Sequence, residues 1–426
     1  MLNSARRLLV GTVVALVCTT GSAAATVNGI SRQAGTPEIC AEYGYHAGFR
    51  ATALVKAIAI GMAESGCYTH AVGPNPQDQG MWQIRASPER VAQYGDLLDP
   101  ANNARAAFDL SDRGRNWTAW ATNCGDATSP LCYAHWMGTA RSEARKYMVP
   151  DTTGDGFADL VAVDDTGKLV GYHNGSLVNA DGRPFANRSW RLDASDWRGY
   201  RHLALGDTNN DGYADLVAVG GDGTLYVYPN GTLVNDGGYP YATANWRSAG
   251  TWNTMTQFAV GDVTGDGYAD IVAVDGIGRL VVYANGSRTN ADGAPFANQT
   301  YLIGGDWRGV RDLAVTDVNL DGYADIVGVD GDHKLFGYQN GSLVNAGGVP
   351  FKYESWRLGD SDWSGVGSIT AGDVNGDRYG DLVAFGADGS ISVYGNGILL
   401  PGANGIPYGR VTWTSPGAWQ TYQKIA

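Results

Sequence analysis

The residues best placed to do chemistry are a single carboxylate at the end of an apolar run and five clusters of aspartate. Glu64 lies in "AIAIGMAESGCYTH", residues 57 to 70. Leu54, Ile58 and Met62 recur at helical spacing through the apolar run from Ala51 to Ala63, and Gly66 reads as a C-terminal stop. Glu64 therefore falls in the last turn of a predicted helix, where the negative end of the helix dipole disfavours ionisation by up to about 1 kcal/mol. With apolar neighbours such as Met62 and Met81, this carboxyl is expected to keep its proton near neutrality, the state a general acid needs. Asp78 stands 14 residues further on. It fits a second carboxylate that activates water, and equally a loop residue that caps or turns.

The aspartates recur in "DTTGDGFAD", "DTNNDGYAD", "DVTGDGYAD", "DVNLDGYAD" and "DVNGDRYGD", with a period of 55 or 56 residues. Position 1 is Asp151, Asp207, Asp262, Asp317 or Asp373, and position 5 is Asp155, Asp211, Asp266, Asp321 or Asp377. Position 9 is Asp159, Asp215, Asp270, Asp325 or Asp381, and position 3 is Thr153, Asn209, Thr264, Asn319 or Asn375. Oxygen side chains at alternate positions of a tight loop, joined by a backbone carbonyl at position 7, are the donors of a hard cation, and calcium is the expected ligand. An EF-hand would need a bidentate Glu at position 12 and a following helix. Here position 12 is Ala162, Ala218, Ala273, Gly328 or Ala384, set in short β-rich runs such as "LVAVD". Solvated Asp-Gly turns are the plainer reading of the same loops. In the fifth copy Arg378 replaces the Gly of position 6, where a left-handed turn is costly for it.

The elements that position these groups follow from length, cysteines and charge. A chain of 426 residues exceeds what one core serves, so at least two domains are expected. "MLNSARRLLVGTVVALVCTTGSAAA", residues 1–25, has two arginines, a short apolar core and small residues ending at Ala25, the pattern of a secretory signal peptide and too short for a membrane anchor. Beyond it Cys40, Cys67, Cys124 and Cys132 form an even set in an exported chain, so two disulfides are expected. Three pairings are possible; short loops favour Cys40 with Cys67 and Cys124 with Cys132. Residues 26–150 carry 11 Lys and Arg against 11 Asp and Glu, whereas residues 151–426 carry 17 against 32, a net charge of −15. That acidity excludes nucleic acid and anionic membrane as partners of the second part, and asks for a counter-ion.

Each period after Asp151 holds about four short strands, including a "G-x-L-x-x-Y-x-N-G" segment, the content of one propeller blade. The terminal "TYQKIA" corresponds to the strand before Asp207 and is expected to complete the blade opened at Asp151, closing a five-bladed ring, with "ARKYMVP" as a competitor for that place. Residues 151–426 resemble the calcium loops of FG-GAP or VCBS-type propeller repeats. Trp190, Trp197, Trp246, Trp307, Trp356, Trp363 and Trp413 recur with the period, either packing between blades or stacking on sugar rings.

Residues 26–150 read as one small α-rich domain. "AESG", "GMWQI", "DPANNARAA" and the W-x-x-W of Trp117 and Trp120, in this order, resemble the lysozyme-like or soluble lytic transglycosylase-like domains of secreted actinobacterial muralytic proteins. The resemblance implies that Glu64 protonates a glycosidic oxygen. It also implies that Gly80, Met81, Trp82 and Gln83 line the substrate, with Gln83 touching the sugar, and that Trp117 and Trp120 divide between core and cleft. Asp99 before Pro100 reads as a helix cap. The expected fold is thus an α-rich lysozyme-like domain followed by an all-β, five-bladed propeller. The expected function is a secreted, monomeric enzyme cleaving peptidoglycan glycan strands, needing no catalytic cofactor, with a propeller that targets the wall. Without a catalytic role for Asp78 the resemblance implies lytic transglycosylation rather than hydrolysis. A non-catalytic glycan-binding adhesin or lectin is the alternative.

Overall fold

A computed structural model of the chain describes residues 25–27, 30–32, 35–144, 147 and 149–426, apart from residues 177–178, 180–181, 195, 233–238, 291–292, 399, 401–404, 416, 418, 420–421 and 423. The predicted signal segment, up to residue 24, lies outside the described residues. The chain forms two compact units, with Lys56–Thr139 in the first and the residues from Ala140 onward in the second.

The helical part contains α1 (Pro37–Ala47), α2 (Ala51–Ser65), α3 (Pro88–Tyr94), α4 (Pro100–Leu110) and α5 (Tyr133–Ala144). A short hairpin pairs Asp78–Gln79 with Ile84–Arg85. The apolar run does form the predicted helix, but α2 is buried all round from Ala57 to Gly61 rather than along one stripe, so it is the core of its domain. A side chain at Gly61 has no room, because its Cβ would lie 2.4 Å from the Cys40 sulfur. Gly66 ends α2 in the left-handed conformation (φ 66°), its N–H donating to the Met62 carbonyl. Asp99 caps α4 as predicted, accepting from the Asn102 N–H at 3.0 Å, with Pro100 in the first turn. The disulfides are Cys40–Cys67 and Cys124–Cys132. By loop closure each contributes on the order of 2–4 kcal/mol.

Among the described residues of the second unit there are five antiparallel four-stranded sheets. In four of them the inner strand leads into an aspartate loop, and the second strand is buried throughout in Leu160–Val163, Asp215–Gly220 and Asp270–Val274 and up to its last residue in Asp325–Asp330 and Asp381–Gly386. The closing strand Lys424–Ile425 pairs with Leu160–Val163 in the register Lys424 opposite Val163 and Ile425 opposite Ala162. Ala426 and Val161 exchange backbone hydrogen bonds of 2.7 and 3.0 Å. The last strand thus completes the blade opened at Asp151 and covers an edge that would otherwise invite pairing. Trp190, Trp197, Trp307, Trp356 and Trp363 are buried, and Trp246 and Trp413 half-buried, so the recurring tryptophans pack within and between blades.

Candidate active site and aspartate loops

Glu64 sits in the last turn of α2, half-buried. Burial raises its pKa above the usual carboxylate value, and the negative charge of Asp78 pushes it further up. Opposing these, the Thr122 hydroxyl donates to Glu64 Oε1 at 2.6 Å and favours the ionised form. The next residue, Ser65, donates to the Met81 carbonyl at 2.7 Å and ties the end of α2 to the hairpin loop.

That loop is organised by a residue the sequence reading left aside. Asn103, fully buried on α4, accepts from the Trp82 N–H at 3.0 Å and donates to the carbonyls of Gln79 at 2.8 Å and Leu97 at 3.0 Å. Gly80 (φ 75°) is required beside it, because a Cβ there would lie 2.3 Å from the Asn103 amide nitrogen. Its sequence signal is a polar residue on the inward face of "DPANNARAA", which amphipathic periodicity alone assigns to the core.

The expected substrate-lining set divides. Met81 and Trp82 are fully buried, and the Trp82 indole donates to the Ala57 carbonyl at 2.8 Å. Neither side chain offers surface to a sugar, which corrects their expected place on the cleft wall. Trp117 is also in the core, 5 % exposed, with its ring 5.0 Å from that of Trp120. Trp120 in turn donates to the Trp82 carbonyl at 2.8 Å. Gln83 alone of the side chains at positions 81–83 keeps exposed surface, its amide folded back onto the Gly80 carbonyl at 2.8 Å. Asp78 lies on the hairpin and is held by Arg85, with contacts of 3.0 and 3.3 Å.

In the propeller the five aspartate loops repeat one geometry. Positions 4 and 6 are left-handed in all five, including Asn210, Leu320 and Arg378. Arg378 does adopt the turn (φ 77°), and its N–H donates to Asp373 Oδ2 at 2.7 Å just as Gly212 donates to Asp207. The first and ninth aspartates accept backbone amides: Asp262 from Gly265 and Gly267, and Asp270 from Val263 and Thr264. Among the described residues no three acidic, histidine or cysteine groups converge in the manner of an assembled metal site. The donors nevertheless fit a hard cation. They are all oxygens, a carboxylate oxygen that accepts one amide keeps a second lone pair, and the Thr264 hydroxyl at position 3 is buried without a hydrogen-bond partner.

The Asn of "Y-x-N-G" completes the ring. Asn285 N–H donates to Asp270 at 2.7 Å, and its amide donates to Ala269 of its own loop and to Thr208 of the preceding one. Asn174, Asn230, Asn340 and Asn396 repeat this bridge, each reaching the loop of the blade before it. Backbone bonds follow the same circuit, ending with Ala158 N–H on the Asp373 carbonyl at 2.7 Å.

The fold and its two sites define a helical lysozyme-like domain followed by a five-bladed propeller. Residues 41–122 match the family described as Lysozyme like domain, and residues 207–273 and 262–328 match the FG-GAP-like repeat. No curated protein matches the chain. The lysozyme-like match suggests peptidoglycan-lytic activity and implies a peptidoglycan substrate. The two disulfides suggest an extracellular protein, and no described helix is long and apolar enough to cross a membrane.

Proposed function

We propose that the protein is a secreted, monomeric enzyme that cleaves the glycan strands of peptidoglycan, with Glu64 as general acid. The observation that carries this is Glu64 itself, a half-buried carboxyl ending the core helix, its proton favoured by desolvation and by the Asp78 charge. Protonated Glu64 donates to the glycosidic oxygen as the bond to the anomeric carbon breaks, and the sugar takes on oxocarbenium character. Hydrolysis would then need a carboxylate to activate water. Asp78 is tied to Arg85, which favours the one-acid route in which the sugar's own hydroxyl attacks and Glu64 takes up that hydroxyl's proton. Gln83, with exposed surface beside Gly80, is the proposed sugar contact.

The propeller is proposed to bind calcium through positions 1, 3, 5 and 9 of its aspartate loops and the position-7 carbonyl. Calcium supplies positive charge among like-charged carboxylates and so stabilises the blades. A propeller gripping wall glycan raises the local concentration of substrate for the helical domain without joining in bond cleavage. Incubation of purified peptidoglycan with wild type and Glu64→Gln, followed by mass analysis of the released muropeptides, tests the reaction. Anhydro ends indicate transglycosylation and reducing ends hydrolysis; equal release by both proteins removes Glu64 from the chemistry.

A further inference from the structure

The loop carrying Thr122 is fastened from several directions. The Cys124–Cys132 disulfide closes it two residues downstream. The Thr122 carbonyl accepts the N–H of Tyr133, the first residue of α5, at 2.8 Å. The Tyr133 ring lies under the Lys56 ammonium, 3.1 Å from its centroid, and Lys56 belongs to α2, the helix that carries Glu64 in its last turn. Upstream, Trp120 is pinned by its indole to the Trp82 carbonyl, and Asn123 N–H returns to the Trp120 carbonyl at 3.1 Å. This is much fastening for a polar surface segment, and at its centre the Thr122 hydroxyl meets Glu64 Oε1 at 2.6 Å.

We infer that Thr122 is a positioning residue for the acid, and that the adjoining Cys124–Cys132 loop holds it in place. A hydroxyl donating to Oε1 makes that oxygen an acceptor, so the acidic proton resides on Oε2, and the carboxyl plane is fixed by the same bond. An acid whose proton can sit on either oxygen of a freely turning carboxyl spends part of its time misdirected, and misplacement of this kind costs roughly ten- to a hundredfold in rate. The Thr122 bond also limits how far burial and the Asp78 charge raise the Glu64 pKa, because it favours the ionised form. Asp78 is the charged group acting on Glu64, and Asp78 is itself paired with Arg85. The inference rests on the reading of Glu64 as the acid, yet the contact can be measured without that reading.

The test is a titration of the Glu64 carboxyl by carbon-detected NMR in the full chain, for wild type, Thr122→Val, Thr122→Ala and Thr122→Ser, with Glu64→Gln assigning the signal. Rates on peptidoglycan strands are measured across pH in parallel. Thr122→Val and Thr122→Ala are expected to move the Glu64 midpoint to higher pH and to lower kcat roughly ten- to a hundredfold with little change in KM. Thr122→Ser is expected to restore both. A Cys124→Ala/Cys132→Ala chain should shift the midpoint in the same direction as Thr122→Val. An unchanged midpoint in both Thr122→Val and Thr122→Ala overturns the inference, as does a midpoint that moves while kcat and the pH profile stay at wild type. If instead Glu64→Gln cleaves as fast as wild type, the functional reading fails separately, and the titration still decides whether Thr122 governs the carboxyl.

Discussion

Arg85 holds Asp78 through two contacts of 3.0 and 3.3 Å, and Asp78 in turn acts through its charge on Glu64. In the proposed mechanism the pair tunes the acid rather than supplying a free base. Removing the negative charge in Asp78→Asn takes away one of the influences that raise the Glu64 pKa, so the acid loses its proton at lower pH. The alkaline limb of the activity profile, where activity disappears as pH rises through the Glu64 pKa, should move to lower pH. At the optimum the loss should stay below about tenfold. A loss beyond about a hundredfold with an unmoved limb would make Asp78 the catalytic base.

The aspartate loops make a prediction about hydrogen bonding alone. Asn285→Ala removes the two amide bonds to Thr208 and Ala269 and leaves buried carbonyls behind. The expected cost is about 2–4 kcal/mol, read from thermal or denaturant unfolding. An unchanged midpoint would mean that the blade-to-blade bridge carries no stability.

Calcium is tested by chelation and by one substitution. Stripping divalent cations should lower the melting temperature of the propeller, and added calcium should restore it. Thr264→Val should melt like wild type in chelator, because its hydroxyl has no protein partner to lose, yet gain less from calcium. Equal gains in both proteins would remove position 3 from the ligand set, and no gain in either would reject calcium.

Ring closure rests on the last residues of the chain. Deleting Lys424–Ala426 removes the pairing with Leu160–Val163 and bares a strand edge whose residues are all apolar and buried. Size-exclusion chromatography should show higher oligomers or aggregate for the shortened chain. A monodisperse shortened chain with wild-type melting would show that the ring does not need this clasp.

Several of these features were legible in the sequence because they repeat or punctuate. The end of the helix that carries Glu64 is marked by Gly66, the cap by Asp99 and Pro100, and the closing strand by the correspondence of "TYQKIA" with the strand before Asp207. The fate of Met81, Trp82 and Trp117 was not. An apolar side chain on a short hairpin or loop reads the same whether it walls a cleft or fills a core, and only packing decides. Asn103 and Thr122 escaped for the opposite reason: single polar residues without periodicity, whose weight comes from partners 21 and 58 positions away. Arg378 shows the limit of local preference, since the bond from its N–H to Asp373 holds it in a turn that costs roughly 1–2 kcal/mol without glycine.

The proposed reaction depends on one proton carried by Glu64. The most direct measurement is the rate at which Glu64→Gln releases muropeptides from purified peptidoglycan, beside a melting curve that shows the variant folded. Wild-type melting and a rate at least about a hundredfold lower are expected. Release at the wild-type rate from the folded variant would contradict it.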